Sequence, residues 1–286
     1  MRNIALSRGA SACGVIPAEA PAEYARFLSI ATGGPPDLAY LKRSHPKRQD
    51  IRRWCAPARS VLVCAFRYWS PDRDYTEALG KAGEPSAYLL GTGRKPRTEF
   101  IERVKSRGLR PKIARYALLP DYHKVIGEKL ALMLADIKAV RPGTEGKMFV
   151  DTSPVLEKEL GRLAGLGFRG RNTLLISKEL GSYFFIGGLA LSCGIPQPEA
   201  SSSFAPALPP GASKGQACGT CRKCVDACPT GALKMPGVLD AGLCLSYWTT
   251  QAKTSAPKGI VSRSEGYVYG CDVCQEVCPY NRNNEE

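Results

Sequence analysis

Eight of the twelve cysteines lie between positions 218 and 278, at spacings that suit metal chemistry. Residues 218–231 read CGTCRKCVDACPTG, which is Cys218-x2-Cys221-x2-Cys224-x3-Cys228 followed by proline. A C-x2-C-x2-C loop wraps three corners of a [4Fe–4S] cluster, and the fourth cysteine, just before proline, ligates the other cluster of a pair. Downstream, YGCDVCQEVCPYN supplies Cys271-x2-Cys274-x3-Cys278-Pro, a second run that lacks its first cysteine. The same exchange groups Cys218, Cys221, Cys224 and Cys278 around one cluster, and Cys228, Cys271 and Cys274 around another. Cys244 is the remaining cysteine in this part of the chain and completes the second set. Two structural zinc sites are the alternative, because zinc also takes four thiolates in C-x2-C pairs. The tight loops ending in Cys-Pro favour clusters. Two clusters this close in sequence form an electron wire, so the chemistry itself is expected in the long stretch ahead of them.

The elements that would position such chemistry can be read from apolar periodicity. RSVLVCAFRYW (59–69) alternates and then runs apolar, which predicts a buried strand. KVIGEKLALMLADIKAV (124–140) carries Val125, Leu130, Met133, Leu134 and Ile137 at helical spacing and stops at Arg141-Pro142-Gly143. KMFVDTS (147–153) predicts a short strand ending on an acid, VLEKELGRLAGLG (155–167) a second helix, and RNTLLIS with GSYFFIGGLALS a strand pair turning at Glu179–Gly181. Residues 197–216 are rich in Ser, Pro, Ala and Gly, a linker or covering loop that places a domain boundary near 200/201. Gly165 and Gly167 suit tight turns better than a phosphate loop. The four scattered cysteines, Cys13, Cys55, Cys64 and Cys193, sit in apolar contexts and are expected to be small packed residues.

The chain has 286 residues, 44% hydrophobic, with a net charge of +14. That is mass for one or two domains with a real core. No apolar run approaches a membrane span, and residues 1–20 lack the apolar core of an export leader, so cytoplasmic residence is the default expectation. Basic residues concentrate in 42–59 and 94–115, which favours a polyanionic partner over a merely solvated surface.

Taken together, several stretches resemble the epoxyqueuosine reductase family: KRQDIRRWCAPARSVLVCAFRY (47–68), DYHKVIGEKL (121–130), FVDTSPVLEKELGRLAGLGFRGRNTLLIS (149–177), GSYFFIG (181–187), the two cysteine runs, and VLDAGLCLSYWT (238–249), which holds Cys244. They span nearly the whole chain. The resemblance implies an α+β protein: an N-terminal α/β, flavin-reductase-like domain binding cobalamin (1–200), then a ferredoxin-like domain with two [4Fe–4S] clusters (201–286). It implies reduction of epoxyqueuosine to queuosine in the anticodon region of tRNA, with electrons from a low-potential donor such as flavodoxin or ferredoxin. By the same resemblance Asp151, of the VDT block, is the proton donor, since an alkoxide leaves poorly unless an acid protonates it. Removal from water at the end of a buried strand would favour its protonated form. On residues alone, Asp151 could instead cap the helix that follows. Arg48, Arg115 and Ser246 fall in blocks expected to lie against cobalamin, with Tyr122 and His123 nearby; His123 could equally be a packed helix-start residue. Glu157 is read as facing solvent.

Three departures from the family pattern bear on substrate. Members often continue past the CPYN block into a helical-repeat domain that helps hold tRNA, so a short form, monomeric, is expected here. PKGIVSRSEGYVYGC lacks the usual R-x-x-I-G-N-R, and YALLPDYH differs just before DYH. The alternative reading is a cobalamin and iron–sulfur reductase of another small substrate, as in reductive dehalogenases. A pure electron carrier is a third, disfavoured because it would need neither the N-terminal part nor Asp151.

Overall fold

The computed structural model describes residues 1–21, 23–69, 96–194, 218–235 and 237–282. The Ser/Pro-rich stretch at 197–216 and the first two residues of the second basic stretch lie outside them.

The apolar run at 60–67 becomes the centre of an antiparallel sheet. Its strands are β1 (Ala12–Pro17), β2 (Ser60–Arg67), β3 (Gly146–Val150) and β4 (Phe184–Leu191), in the order β1-β2-β4-β3. Successive side chains of a strand point to opposite faces. Val61, Val63 and Ala65 therefore enter one core, with Ile16, Phe149, Leu160 and Ala190. Leu62, Cys64 and Phe66 enter another, with Ile126, Leu130, Met133, Ile137 and Leu189. A strand buried on both faces must be apolar throughout, which is why this segment reads as a run rather than a clean alternation. The first 20 residues, in which no element was anticipated, supply a short helix (Arg2–Ser7) and β1.

The long helix spans Tyr122–Val140, two residues earlier than its periodicity suggested, because Asp121 accepts a hydrogen bond from the His123 N–H and caps it. Its buried stripe is Ile126, Leu130, Met133 and Ile137, whereas Val125 is exposed. β3 stops at Val150. Asp151 then takes φ +43°, a left-handed conformation uncommon for a non-glycine residue. The next helix starts only at Glu157 and ends at Leu163, with Leu156 at its N-cap position. Asp151 therefore caps no helix, and the backbone turn it makes aims its side chain away from the strand. Gly165 (φ +77°) makes a turn, while Gly167 allows close backbone approach: a Cβ there would lie 2.2 Å from the Ile176 carbonyl oxygen.

The cluster-motif region is held to the rest by a third core. Phe100 and Val104, on the helix Thr98–Ser106, pack with Leu245, Ile260, Tyr267 and Val268. Lys112–Ile113 pairs in parallel with Tyr267–Tyr269. Arg97 donates to the carbonyls of Ala252 (2.9 Å), Trp248 (3.3 Å) and Thr254. Residues far ahead of the cysteine runs thus build part of the wall on which those runs rest. Of the scattered cysteines, Cys55 and Cys64 are buried and Cys13 and Cys193 half-buried. Among the described residues, no helix is long and apolar enough to cross a membrane.

Candidate functional site

The cysteine runs fold as two similar turns. Each ends in a one-turn helix, Lys223–Asp226 in one and Val273–Glu276 in the other, and the two helices pack together. Gly219, at φ +52°, lets the first turn close, and the Cys221 N–H donates to the Cys218 carbonyl (3.0 Å). Cys218, Cys221, Cys224 and Cys278 line a cavity of about 360 Å3 with Arg171, Lys223 and Tyr280. Cys228, Cys244, Cys271 and Cys274 line a second, of about 580 Å3. Cys244 reaches it from the N-cap position of the helix Leu245–Thr250. Among the described residues no three His, Cys, Asp or Glu side chains gather closely enough to hold a single metal ion. A cubane cluster needs a ring of thiolates around a chamber, and an all-cysteine set of four fits it. Burial, then the neighbouring cysteines, push the Cys224 thiol up to about 11; burial pushes Cys271 up to about 12. Thiols held that firmly protonated give up their protons when a positively charged iron centre takes their place.

The second cavity opens into a larger cleft of about 840 Å3; Tyr122, Asp151, Glu157, Lys158 and Thr173 line both. One wall of the cleft is the long helix and the turn after β3. The other comes from the N-terminal helices, with Phe27, Leu38, Tyr40, Leu41 and Arg48. Asp151 projects into it with its side chain 58% exposed, so it is not buried as the strand reading implied. Tyr122 Oη donates to Asp151 Oδ2 at 2.7 Å, and His123 Nε2 lies 3.4 Å from the same oxygen. The Tyr122 ring is fixed by stacking on Phe185 (4.1 Å between centroids, 12°) and on His123. Burial, followed by the Asp151 charge, raises the Tyr122 phenol well above its ordinary range, so it stays a donor. His123 is both a helix-start residue, its Nδ1 3.0 Å from Asp121 Oδ1, and a wall of the cleft.

Arg48 is buried in the cleft wall. Its Nη1 donates to the Val155 carbonyl (2.8 Å), its Nε donates to Ser44 Oγ (3.1 Å), and its guanidinium lies 5.5 Å from the Phe27 ring centroid. Ser246 lines the second cysteine cavity. Arg115 lines neither that cavity nor the cleft. Its guanidinium stacks between Trp69 and Tyr183, donates to Tyr183 Oη and lies 3.7 Å from Glu276, while its N–H donates to Asp272 (2.7 Å).

Two residues take a place in the wall that the sequence reading does not give them. Glu157 does not simply face solvent: it is half-buried in the wall shared by the two cavities. Burial, reinforced by the charge of Asp151, raises its carboxyl to about 7. Lys158 sits beside it, Nζ 3.4 Å from the Thr173 carbonyl, where Thr173 itself holds φ +67°. The surrounding protein lowers the Lys158 pKa, but its side chain touches solvent in the cleft, so the effect is smaller than full enclosure would give. The only signal for either in the sequence is their place six and seven residues after Asp151 in one acidic block.

A mixed helix-and-sheet body with two four-cysteine cavities, one of them continuous with a large cleft, defines an iron–sulfur protein. Residues 217–281 match the family described as the 4Fe-4S double cluster binding domain, and residues 48–152 match epoxyqueuosine reductase QueG, DUF1730. The chain is 33% identical over 245 residues to epoxyqueuosine reductase of Cyclobacterium marinum, covering 86% of this chain and 66% of that one. It is 32% identical over 254 residues to that of Synechocystis, covering 88% and 72%. A crystal structure of epoxyqueuosine reductase with an epoxyqueuosine-modified tRNA-Tyr stem loop superposes with TM-score 0.69 at 25% identity, over 99% of this chain and 65% of that one. The chain belongs to the epoxyqueuosine reductase family. It spans about two thirds of the length of these relatives.

Proposed function

We propose that the protein reduces epoxyqueuosine to queuosine in the anticodon region of tRNA, using cobalamin supplied with electrons through two [4Fe–4S] clusters. The observation that carries this reading is the shared wall: Asp151, the candidate acid, lines the same space as the second set of cysteines. Cys228, Cys244, Cys271 and Cys274 would hold the cluster nearer the cleft, and Cys218, Cys221, Cys224 and Cys278 the farther one. The cleft suits a large macrocycle with apolar faces and amide edges. Phe27, Leu38, Tyr116 and Leu156 offer apolar surface, while Arg48, Thr250 and Gln251 offer polar groups at its margins. Bound there, cobalamin would supply a strongly reducing cobalt centre next to the substrate.

The remaining work falls to the chain's own side chains. Replacing an epoxide by an alkene takes two electrons and two protons, breaks both C–O bonds and releases the oxygen as water. Asp151 gives a proton to that oxygen, which turns a poor alkoxide leaving group into a hydroxyl. Tyr122 holds the carboxyl by Oδ2, and Oδ1 has no hydrogen-bond partner among the described residues. Exposed cations on the first basic stretch, among them Lys42, Arg43, Lys47 and Arg53, and on the second, Lys105, Arg107 and Arg110, provide the field for a polyanionic tRNA. A low-potential flavodoxin or ferredoxin, a monomeric state and the cytoplasm complete the reading.

The test is anaerobic reconstitution with iron, sulfide, cobalamin and reductant, followed by nucleoside analysis of epoxyqueuosine-containing tRNA. Queuosine should appear. Bound cobalamin with no conversion would move the assignment to another substrate.

A further inference from the structure

We propose that Glu157 is the proton reserve of this cleft, re-protonating Asp151 once Asp151 has given up its own proton. The inference rests on the reductive reading above, because that reaction consumes two protons and Asp151 carries one at a time. The first proton leaves Asp151 for the epoxide oxygen as one C–O bond breaks. The second leaves Asp151 again as the hydroxyl departs as water and the C=C bond forms. Two electrons arrive from the low-potential donor through the clusters. Between the two transfers a proton must return to Asp151, from solvent or, once cofactor and substrate fill the cleft, from a group in its wall.

The wall offers few groups able to supply it; His123, with Nε2 3.4 Å from Asp151 Oδ2, already holds its Nδ1 3.0 Å from Asp121. Tyr122 is bonded to Asp151 but is held as a firm donor, too weak an acid to surrender its proton. Lys158 is engaged with the Thr173 carbonyl. Glu157 lines the same two cavities as Asp151, and among the described residues no side chain hydrogen-bonds or ion-pairs with it. The groups around it act in opposite directions. Asp151, on the turn after β3, disfavours its charge; Arg48, on the N-terminal wall, and Lys158 favour it, as does its own backbone N–H. Tyr40 lies across the cleft and feels the same carboxyl. Arg48 spends hydrogen bonds on Val155 and Ser44, which explains why it does not pair with Glu157 despite its charge. Burial outweighs both cations, and a carboxyl balanced near neutrality both accepts and releases a proton readily.

The experiment uses the reconstituted holoenzyme. An infrared titration should show a protonated-carboxyl band in the wild type that disappears around neutral pH and is missing in Glu157→Gln. In turnover, Glu157→Gln should lower kcat about tenfold, less than the roughly 10²–10⁴-fold loss of an acid acting on the substrate itself, while KM for tRNA and the cobalamin absorption spectrum stay put. Its pH–rate profile should lose the limb near neutrality, and Glu157→Asp should restore part of the rate. Cluster and corrin absorbance certify that each variant is folded. A wild-type kcat and pH profile in Glu157→Gln would overturn the proposal, and so would the absence of the band. If the wild type converts no substrate at all, the functional reading falls, and the infrared band still decides whether Glu157 stores a proton.

Discussion

The two cysteine cavities are built from the same turn and the same one-turn helix, yet they face different things. The first is bordered by Arg171, Lys223 and Tyr280 and shares no lining residue with the cleft. The second shares Tyr122, Asp151, Glu157 and Lys158 with it. The asymmetry comes from one substitution of position: the second run lacks its first cysteine, and Cys244 arrives instead from the helix Leu245–Thr250. That helix also carries Ser246 to the second cavity and Thr250, with Gln251 just past its end, to both cavity and cleft. On the proposed assignment, moving one ligand out of the run ties one cluster cage to the cleft. The proposed wire would then deliver electrons at the second cavity and take them in at the first.

This comparison can be broken most severely at the ligands. Cys244→Ser and Cys218→Ser should each remove about half of the iron, since each cubane requires its thiolates. Both should abolish turnover with a protein donor. A small, strong chemical reductant able to reach the cleft side should recover part of the rate in Cys218→Ser and none in Cys244→Ser. Equal recovery in both would erase the distinction between intake and delivery ends.

Next in size is Asp151→Asn. It should leave iron content and cobalamin binding intact and cut turnover by roughly 10²–10⁴-fold, the range for loss of a positioned acid, as measured by nucleoside analysis. Tyr122→Phe sharpens the same point. It removes a 2.7 Å hydrogen bond to Asp151 but keeps the stack on Phe185, so turnover should fall by roughly fivefold, as expected for about 1 kcal/mol of lost positioning.

The smallest effect is on stability. Glu157 has a folded-state pKa raised from 4.5 to about 7, so the folded protein binds its proton more tightly than the unfolded chain. Its contribution is therefore present below about pH 4.5 and is lost as pH rises through 7. Denaturant midpoints measured at pH 5 and pH 8 should differ less in Glu157→Gln than in the wild type. A larger difference in the variant would mean that Glu157 is not sheltered from water at all.

Much of this molecule is legible along the chain because it is local. A cysteine two or three residues from the next closes a turn wherever it stands, and the same eight cysteines that spacing divides into four and four line the two cavities. The apolar run at 60–67 and the stripe on the long helix are also local statements of which faces must leave water. Even there the phase slips by a residue: Ile126, not Val125, is in the core, since the periodicity admits both and only packing against β4 and its neighbours chooses.

The sequence by itself marked the two cysteine runs, the central strand and the long helix, because each is fixed by neighbours a few residues away. Only the tertiary structure decided what shares a chamber. Asp151 leaves its strand through a left-handed turn, Arg115 is drawn out of the cleft wall by Trp69, Tyr183 and Glu276, and Glu157 is brought into it. Each outcome depends on segments far apart in the chain, Phe27 and Arg48 against Asp151, or Phe100 against Leu245. Burial and charge act through space, and no spacing rule along the chain carries that distance.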